Sequence, residues 1–228
     1  MQITKLSERN ILFTVPEDAE GGFVHMGLIL GKKHNFIIDT GMGESNINAI
    51  RDYIGDDSKP IIAIITHAHW DHMFGNSALK DEIIVSHALC REIMDSEWDT
   101  KTKDNIETKR DYIDAEIHKC LPNLVFEGSM CFPEDGIRLF HTPGHTDDSI
   151  NVYDAVGKVL YAADNFGAED GEACLWMDDE PAERMIAQYK QLDFEICVPS
   201  HSEPQTREII AMLEEDLADD SDDDDSDE

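Results

Sequence analysis

The sequence predicts a mixed α/β fold, α+β in detail, built as a four-layer αββα sandwich. Three observations predict it. Short β-rich runs predominate and fall into two groups, on either side of a charged helical stretch. Helical patterns are interspersed in both groups, so each sheet has helices to pack against. One run, Ile61–Ile65, is apolar without a break over strand length, which suits a strand covered on both faces.

Taken in order, Asn10–Val15, Phe23–Leu30 and Asn35–Ile38 read as strands punctuated by Gly21-Gly22 and Gly31-Lys32. The last of them leads into a polar loop at Asp39–Gly41. Ser45 is expected to cap a helix over 46–54. After Ile61–Ile65, Glu82–Val85 reads as a short strand. From Leu89 to about Cys120 the chain is helix-compatible and charged, with a break expected near Thr100–Asp104. The charge pattern over 91–119 favours a solvated helical face over a lid. Leu124–Phe126, Ile137–Phe140, Ile150–Tyr153 and Val159–Ala162 read as strands, with Asp154–Gly157 the clearest hairpin turn. Pro181–Gln191 reads as a helix with Pro in its first turn. Ile196–Pro199 is a last strand and Gln205–Leu217 a last helix. One domain over 1–217 and a disordered acidic tail over 218–228 are expected, since the tail has little apolar area to offset its ordering entropy.

The formal net charge is −32, and eleven carboxylates between Glu214 and Glu228 supply a third of it. That field repels phosphate backbones and anionic membranes. A small-molecule substrate is expected, with neither nucleic acid nor membrane as partner; nothing fixes an oligomeric state. No apolar run is long enough to span a bilayer, and the N-terminus lacks the apolar core of a secretory signal, so a cytoplasmic location is expected. Five scattered cysteines without a CxxC pair read as reduced thiols, mostly packed in the core.

The chemistry concentrates in Thr66–His72, directly after the apolar strand. In extended chain His67 and His69 share a face, so they can converge on one metal ion, while Asp71 and His72 turn toward a second. Imidazole with carboxylate suits zinc, and also manganese, iron or nickel. His145 in Thr142–Thr146, Asp164 and His201 each follow a strand, where α/β sheets place their sites. A lone histidine is more often structural; these three gain weight because they complete two ligand sets. His25, His34, His87, His118 and His141 are assigned no role. Trp70, Met73, Phe74, Phe166 and Trp176 are candidates to line a pocket, with core packing the competing reading.

This pattern of HxHxDH, a His in PGHT, an Asp after a strand and a late His resembles the metallo-β-lactamase superfamily, from about Asn10 to Glu203. The resemblance implies that superfamily's αββα fold and a dinuclear site. It places His67, His69 and His145 on one ion, Asp71, His72 and His201 on the other, and Asp164 between them. It also gives Asp39, in Ile38–Gly41, the task of orienting the metal loop. The ligand set looks most like that of glyoxalase II. The implied enzyme is a hydrolase in which a dinuclear metal-bound hydroxide cleaves a small ester, thioester or lactone. Asp71 and Asp164 are its catalytic residues, with two divalent ions, zinc first and iron or manganese as alternatives. Competing readings are an iron-bound redox or oxygen-handling enzyme and a non-catalytic metal-binding interaction protein. Three departures stand out: Ala163 and Ser200 occupy positions where relatives often have Gly, and little chain follows His201 to hold glutathione.

Overall fold

Two sheets follow from where the chain alternates its apolar side chains. The computed structural model describes residues 1–169 and 171–223. In the first sheet, β1 (Gln2–Lys5), β2 (Asn10–Pro16), β3 (Phe23–Leu30), β4 (Asn35–Ile38), β5 (Ile61–Ile64), β6 (Ile83–His87) and β7 (Leu124–Phe126) lie side by side in chain order. Pairing is antiparallel from β1 to β4 and parallel from β4 to β7. Parallel neighbours need crossovers. These are α1 (Glu44–Ile54), the short α2 (Trp70–Met73) with a 3-10 turn, and α3 (Ala88–Thr108).

The second sheet is built from β8 (Ser129–Phe132), β9 (Ile137–His141), β10 (Ile150–Asp154) and β11 (Val159–Ala163). A separate two-stranded ribbon follows, β12 (Phe166–Glu169) with β13 (Glu172–Leu175). Helix α4 (Asp179–Lys190) returns the chain to β14 (Ile196–Pro199), which pairs parallel to β11; β15 (Gln205–Thr206) and α5 (Ile209–Asp223) complete the order.

Period-two alternation sorts the strand residues into three apolar layers. Ile62 and Ile64 of β5 face Ile150 and Val152 of β10 between the sheets. Ala63 and Ile65 turn the other way, toward Ile47 and Ile50 of α1 and Met94 of α3. Leu160 and Ala162 of β11 meet Met185 and Tyr189 of α4 and Leu213 of α5. Helix, sheet, sheet, helix: this is the predicted sandwich.

Several elements differ from expectation. Helix α3 is unbroken through Thr100–Asp104, because its packing against the first core layer through Met94, Trp98 and Ile106 overrides the weak local propensity. One face is solvated, with Arg91, Glu92 and Asp95 exposed, and the other is packed. Cys90 and Met94 are buried, and Ile93, Trp98 and Ile106 pack against the first core layer. Ser45 does not cap α1; its hydroxyl donates to Asp114 at 2.6 Å, and Gly43 occupies the cap position. Gln205–Thr206 is a strand, so the last helix begins at Ile209. That helix continues to Asp223, past the expected start of the tail at 218, since each residue added to a helix already packed through Ile209 and Leu213 gains a hydrogen bond. Residues 224–228 of the expected tail lie outside the described residues. Strands β1, β8, β12, β13 and β15 were not expected. All five cysteines are free, but only Cys90 and Cys197 are buried, while Cys131 and Cys174 are exposed. No helix among the described residues is long and apolar enough to cross a membrane.

Candidate metal centre

All the predicted ligands emerge from one edge of the sandwich. Strands β9, β11 and β14 run the same way, because β10 is antiparallel to both β9 and β11 while β14 is parallel to β11. Their C-terminal ends carry His145, Asp164 and His201. Strand β5 delivers His67 and His69, and the first turn of α2 delivers Asp71 and His72.

Two sets of ligand atoms result, His67, His69, His145 and Asp164 in one and Asp71, His72, His201 and Asp164 in the other, each within 4.8 Å of one another. In the first, His69 Nδ1 lies 3.0 Å from His67 Nε2 and 3.3 Å from His145 Nε2, and Asp164 Oδ2 lies 3.4 Å from His67 Nε2. In the second, Asp71 Oδ2 lies 3.2 Å from His72 Nε2 and 3.3 Å from His201 Nε2, with Asp164 Oδ2 at 3.3 and 3.2 Å from the same nitrogens. A tetrahedron of donors about 2.0–2.1 Å from a zinc ion has edges of roughly 3.3 Å. Both sets fit that scale. His72 Nε2 and Asp164 Oδ1 are buried without a hydrogen-bond partner, as donors kept for a cation are.

Burial and neighbouring charge shift these histidines in opposite directions. Burial pushes His69 down to about 3, with the neighbouring His67 and His72 adding to it, so its ring is neutral and can donate a lone pair. Burial also lowers His145. His201 is pushed up to about 12: burial opposes the rise, but the carboxylates of Asp164, Asp71 and Glu17 outweigh it. His72 rises for the same reason, against burial, through Asp164, Asp71 and Asp39. Such protons are what a bound cation displaces.

A second ring of contacts fixes the ligands. Asp39 Oδ2 accepts from His72 Nδ1 at 2.8 Å and from the Thr66 hydroxyl at 2.9 Å, while its Oδ1 accepts from Thr66 N at 2.8 Å. These contacts tie Asp39 to the loop that carries His67 and to the His72 ring. Asp39 and Ala163 both hold positive φ, 58° and 53°, in the left-handed region that favours Gly. Gly41, at φ 70°, could not be replaced freely: a Cβ there would lie 2.5 Å from Asn46 Oδ1. His201 Nδ1 donates to Phe23 O at 2.8 Å, and Glu17 lies 3.3 Å from it.

Of the candidate pocket residues, Met73, Phe74 and Phe166 are buried in the core, where their apolar area is removed from water. Trp176 does sit at the site, 6.2 Å ring to ring from both His145 and His201. Beside it a cavity of about 340 Å³ opens, lined by Gly167, Glu172, Cys174, His201 and Ser202 among others. Trp70 is half-buried under Lys109, whose Nζ lies 5.4 Å from the ring centre. His141 stacks on His87 at 3.9 Å, and neither belongs to the two ligand sets. Asp148, which accepts from Ala68 N at 2.8 Å, was not anticipated; the acidic pair just after PGHT was its only signal.

The family profile of the metallo-beta-lactamase superfamily matches residues 19–201. The chain is 25% identical over 184 residues to "Acyl-coenzyme A thioesterase MBLAC2" of Gallus gallus and 22% identical over 187 residues to that of Homo sapiens. These alignments cover 69% of this chain, which spans 62% of the length of those relatives. Among solved structures, a metallo-beta-lactamase from Pontibacter korlensis superposes with a TM-score of 0.72 at 19% identity, covering 95% of this chain and 98% of that one. The DIM-1 metallo-beta-lactamase gives 0.71 at 17%, covering 95% of each. At such identities the likeness is one of fold. With the profile spanning most of the chain, this protein belongs to the metallo-beta-lactamase superfamily.

Proposed function

We propose that the chain is a dinuclear metal hydrolase of a small acyl thioester, ester or lactone, with the thioester first. The observation that carries this reading is the pair of ligand sets that meet at Asp164. In it His67, His69 and His145 would hold one divalent ion and Asp71, His72 and His201 a second, with Asp164 common to both sets. Zinc suits these donors first; iron and manganese suit them too. Charge supports bound ions. Asp39, Asp71, Asp148 and Asp164 are all buried, and among the described residues none pairs with Lys or Arg. Buried carboxylates in such number are costly unless positive charge offsets them, and divalent ions would do so in place of the protons that His72 and His201 otherwise hold.

When bound, such ions supply an ionised water near neutral pH and polarise the attacked carbonyl. The chain does the rest. Asp39 and Phe23 O fix the imidazole rings of His72 and His201. Asp71 stands within reach of both and relays the proton of the attacking water. Trp176 walls one side of the reacting acyl group. Water adds to the acyl carbon, the C–S or C–O bond breaks, and the leaving thiol or alcohol takes up a proton. The thioester preference follows the name of the curated relatives.

The test is metal analysis of protein purified without added metal, with acyl-coenzyme A, simple thioesters, esters and lactones assayed before and after chelation. About two ions per chain and chelator-sensitive hydrolysis are expected. Asp164→Ala should lose at least one ion and more activity than the ~10–100-fold typical of an outer residue. Hydrolysis that survives chelation, or a metal-loaded chain inert on every substrate, sinks the reading.

A further inference from the structure

The two loops that supply the first ligand set are tied together by a residue that is not itself a ligand. Asp148 lies three residues after His145 and is fully buried. Its Oδ2 accepts from the backbone N–H of Ala68 at 2.8 Å, and Ala68 separates His67 from His69. A second tie lies next to it: Ile150 N donates to Thr66 O at 3.0 Å. The turn carrying His145 is itself braced, with Thr142 N donating to Ser149 O at 2.8 Å and the hydroxyls of Thr146 and Ser149 bonded at 2.7 Å. Asp148 Oδ1 is buried with no nitrogen or oxygen donor on it, and the neutral Cys90 thiol is close enough to hydrogen-bond the carboxyl. No lysine or arginine among the described residues pairs with it. A bare carboxylate in dry surroundings is tolerated only where something offsets its charge. A cation on His67, His69 and His145 is the compensation that this arrangement offers.

We infer that Asp148 is a positioning residue for the first ligand set, clamping the His145 loop to the His67–His69 loop and supplying negative charge beside it. The inference rests on the metal-centre reading. It gives Asp148 the counterpart of the task that Asp39 performs for His72. Hydrogen bond and charge are separable here, because Asp148→Asn is isosteric: the amide oxygen can still accept from Ala68 N, and only the charge is lost.

The experiment compares the full chain with D148N. Zinc affinity is measured by competition with a coloured chelator, cobalt binding by visible absorption, and the melting temperature on chelated protein. One of two ions should bind about ten- to a hundredfold more weakly in D148N, with the cobalt spectrum altered. The chelated variant should melt at the same temperature or higher, because an uncompensated buried charge has gone. Unchanged affinity for both ions in D148N overturns the charge assigned to Asp148, and unchanged affinity in Asp148→Ala, which also removes the Ala68 hydrogen bond, overturns the clamp. So does a chelated variant that melts lower while binding metal as the parent does, since that is a merely structural role. A parent chain that takes up no ion overturns the clamp together with the metal centre. None of these readouts needs turnover, so a chain that holds ions yet hydrolyses nothing overturns the hydrolase reading alone.

Discussion

Ala163 keeps its backbone at φ 53°, one residue before Asp164, where a Cβ is strained. The penalty is roughly 1–2 kcal/mol, and glycine's looser unfolded chain returns roughly 0.4–1 of it. Ala163→Gly should therefore stabilise the chelated protein by about 0.5 kcal/mol net, read as a higher urea midpoint at unchanged slope. A lower midpoint would mean that the turn needs its methyl contacts more than it minds the strain. His25 tests burial. It is pushed down to about 4, chiefly by burial and further by His201, so the folded state holds fewer protons there than the unfolded state. Its contribution is complete above the ordinary imidazole value near ~6.5, falls as pH drops toward 4, and levels off below. Urea midpoints of His25→Asn should fall less than the parent's between neutral pH and that point, the difference reaching at most ~3 kcal/mol; equal acid sensitivity would show that His25 charges freely in the fold. The seven candidate ligands were readable from sequence because four of them are packed into six residues and the rest stand at strand ends. Asp148 was not, because its partner Ala68 lies 80 residues away and only the folded chain joins them.

At the level of elements, α3 is a packed wall. Met94 faces the first core layer, while Glu92 on the same helix is exposed. Met94→Ala should cost about 2–5 kcal/mol in thermal or urea unfolding, whereas Glu92→Ala should stay within about 0.5. Equal, small effects would mean a helix loosely laid on the surface, as a lid would be. The central strands were readable because they alternate or run apolar. Strand β1 was not, since as an exposed edge it is polar, and short polar edges are how sheets avoid pairing with other chains. The β12–β13 ribbon escaped for another reason. It joins neither sheet, and Gly and Glu in its short strands leave no apolar rhythm to read. The break expected in α3 came from local propensity alone, which its packing against the sheet overrides.

For the molecule as a whole, 50 acidic residues against 18 basic ones leave the folded state repelling itself. Raising salt from about 0.01 to about 1 M shortens the screening length from ~30 to ~3 Å, so the melting temperature should climb. A flat or falling profile would show that the charges are already spaced beyond each other's reach. The layered architecture was readable because each sheet's apolar residues need two partners, and only a helix–sheet–sheet–helix stack supplies them. One feature of that stack reaches further. Each ligand set takes two residues from the chain before α3 and two from the chain after it. An ion bound in either set is then a rivet through both halves. Holding at a hundred times its dissociation constant would tighten the fold by about 2.7 kcal/mol. Without the ion the two halves would be held by packing alone, and the chain would unfold at a lower urea concentration.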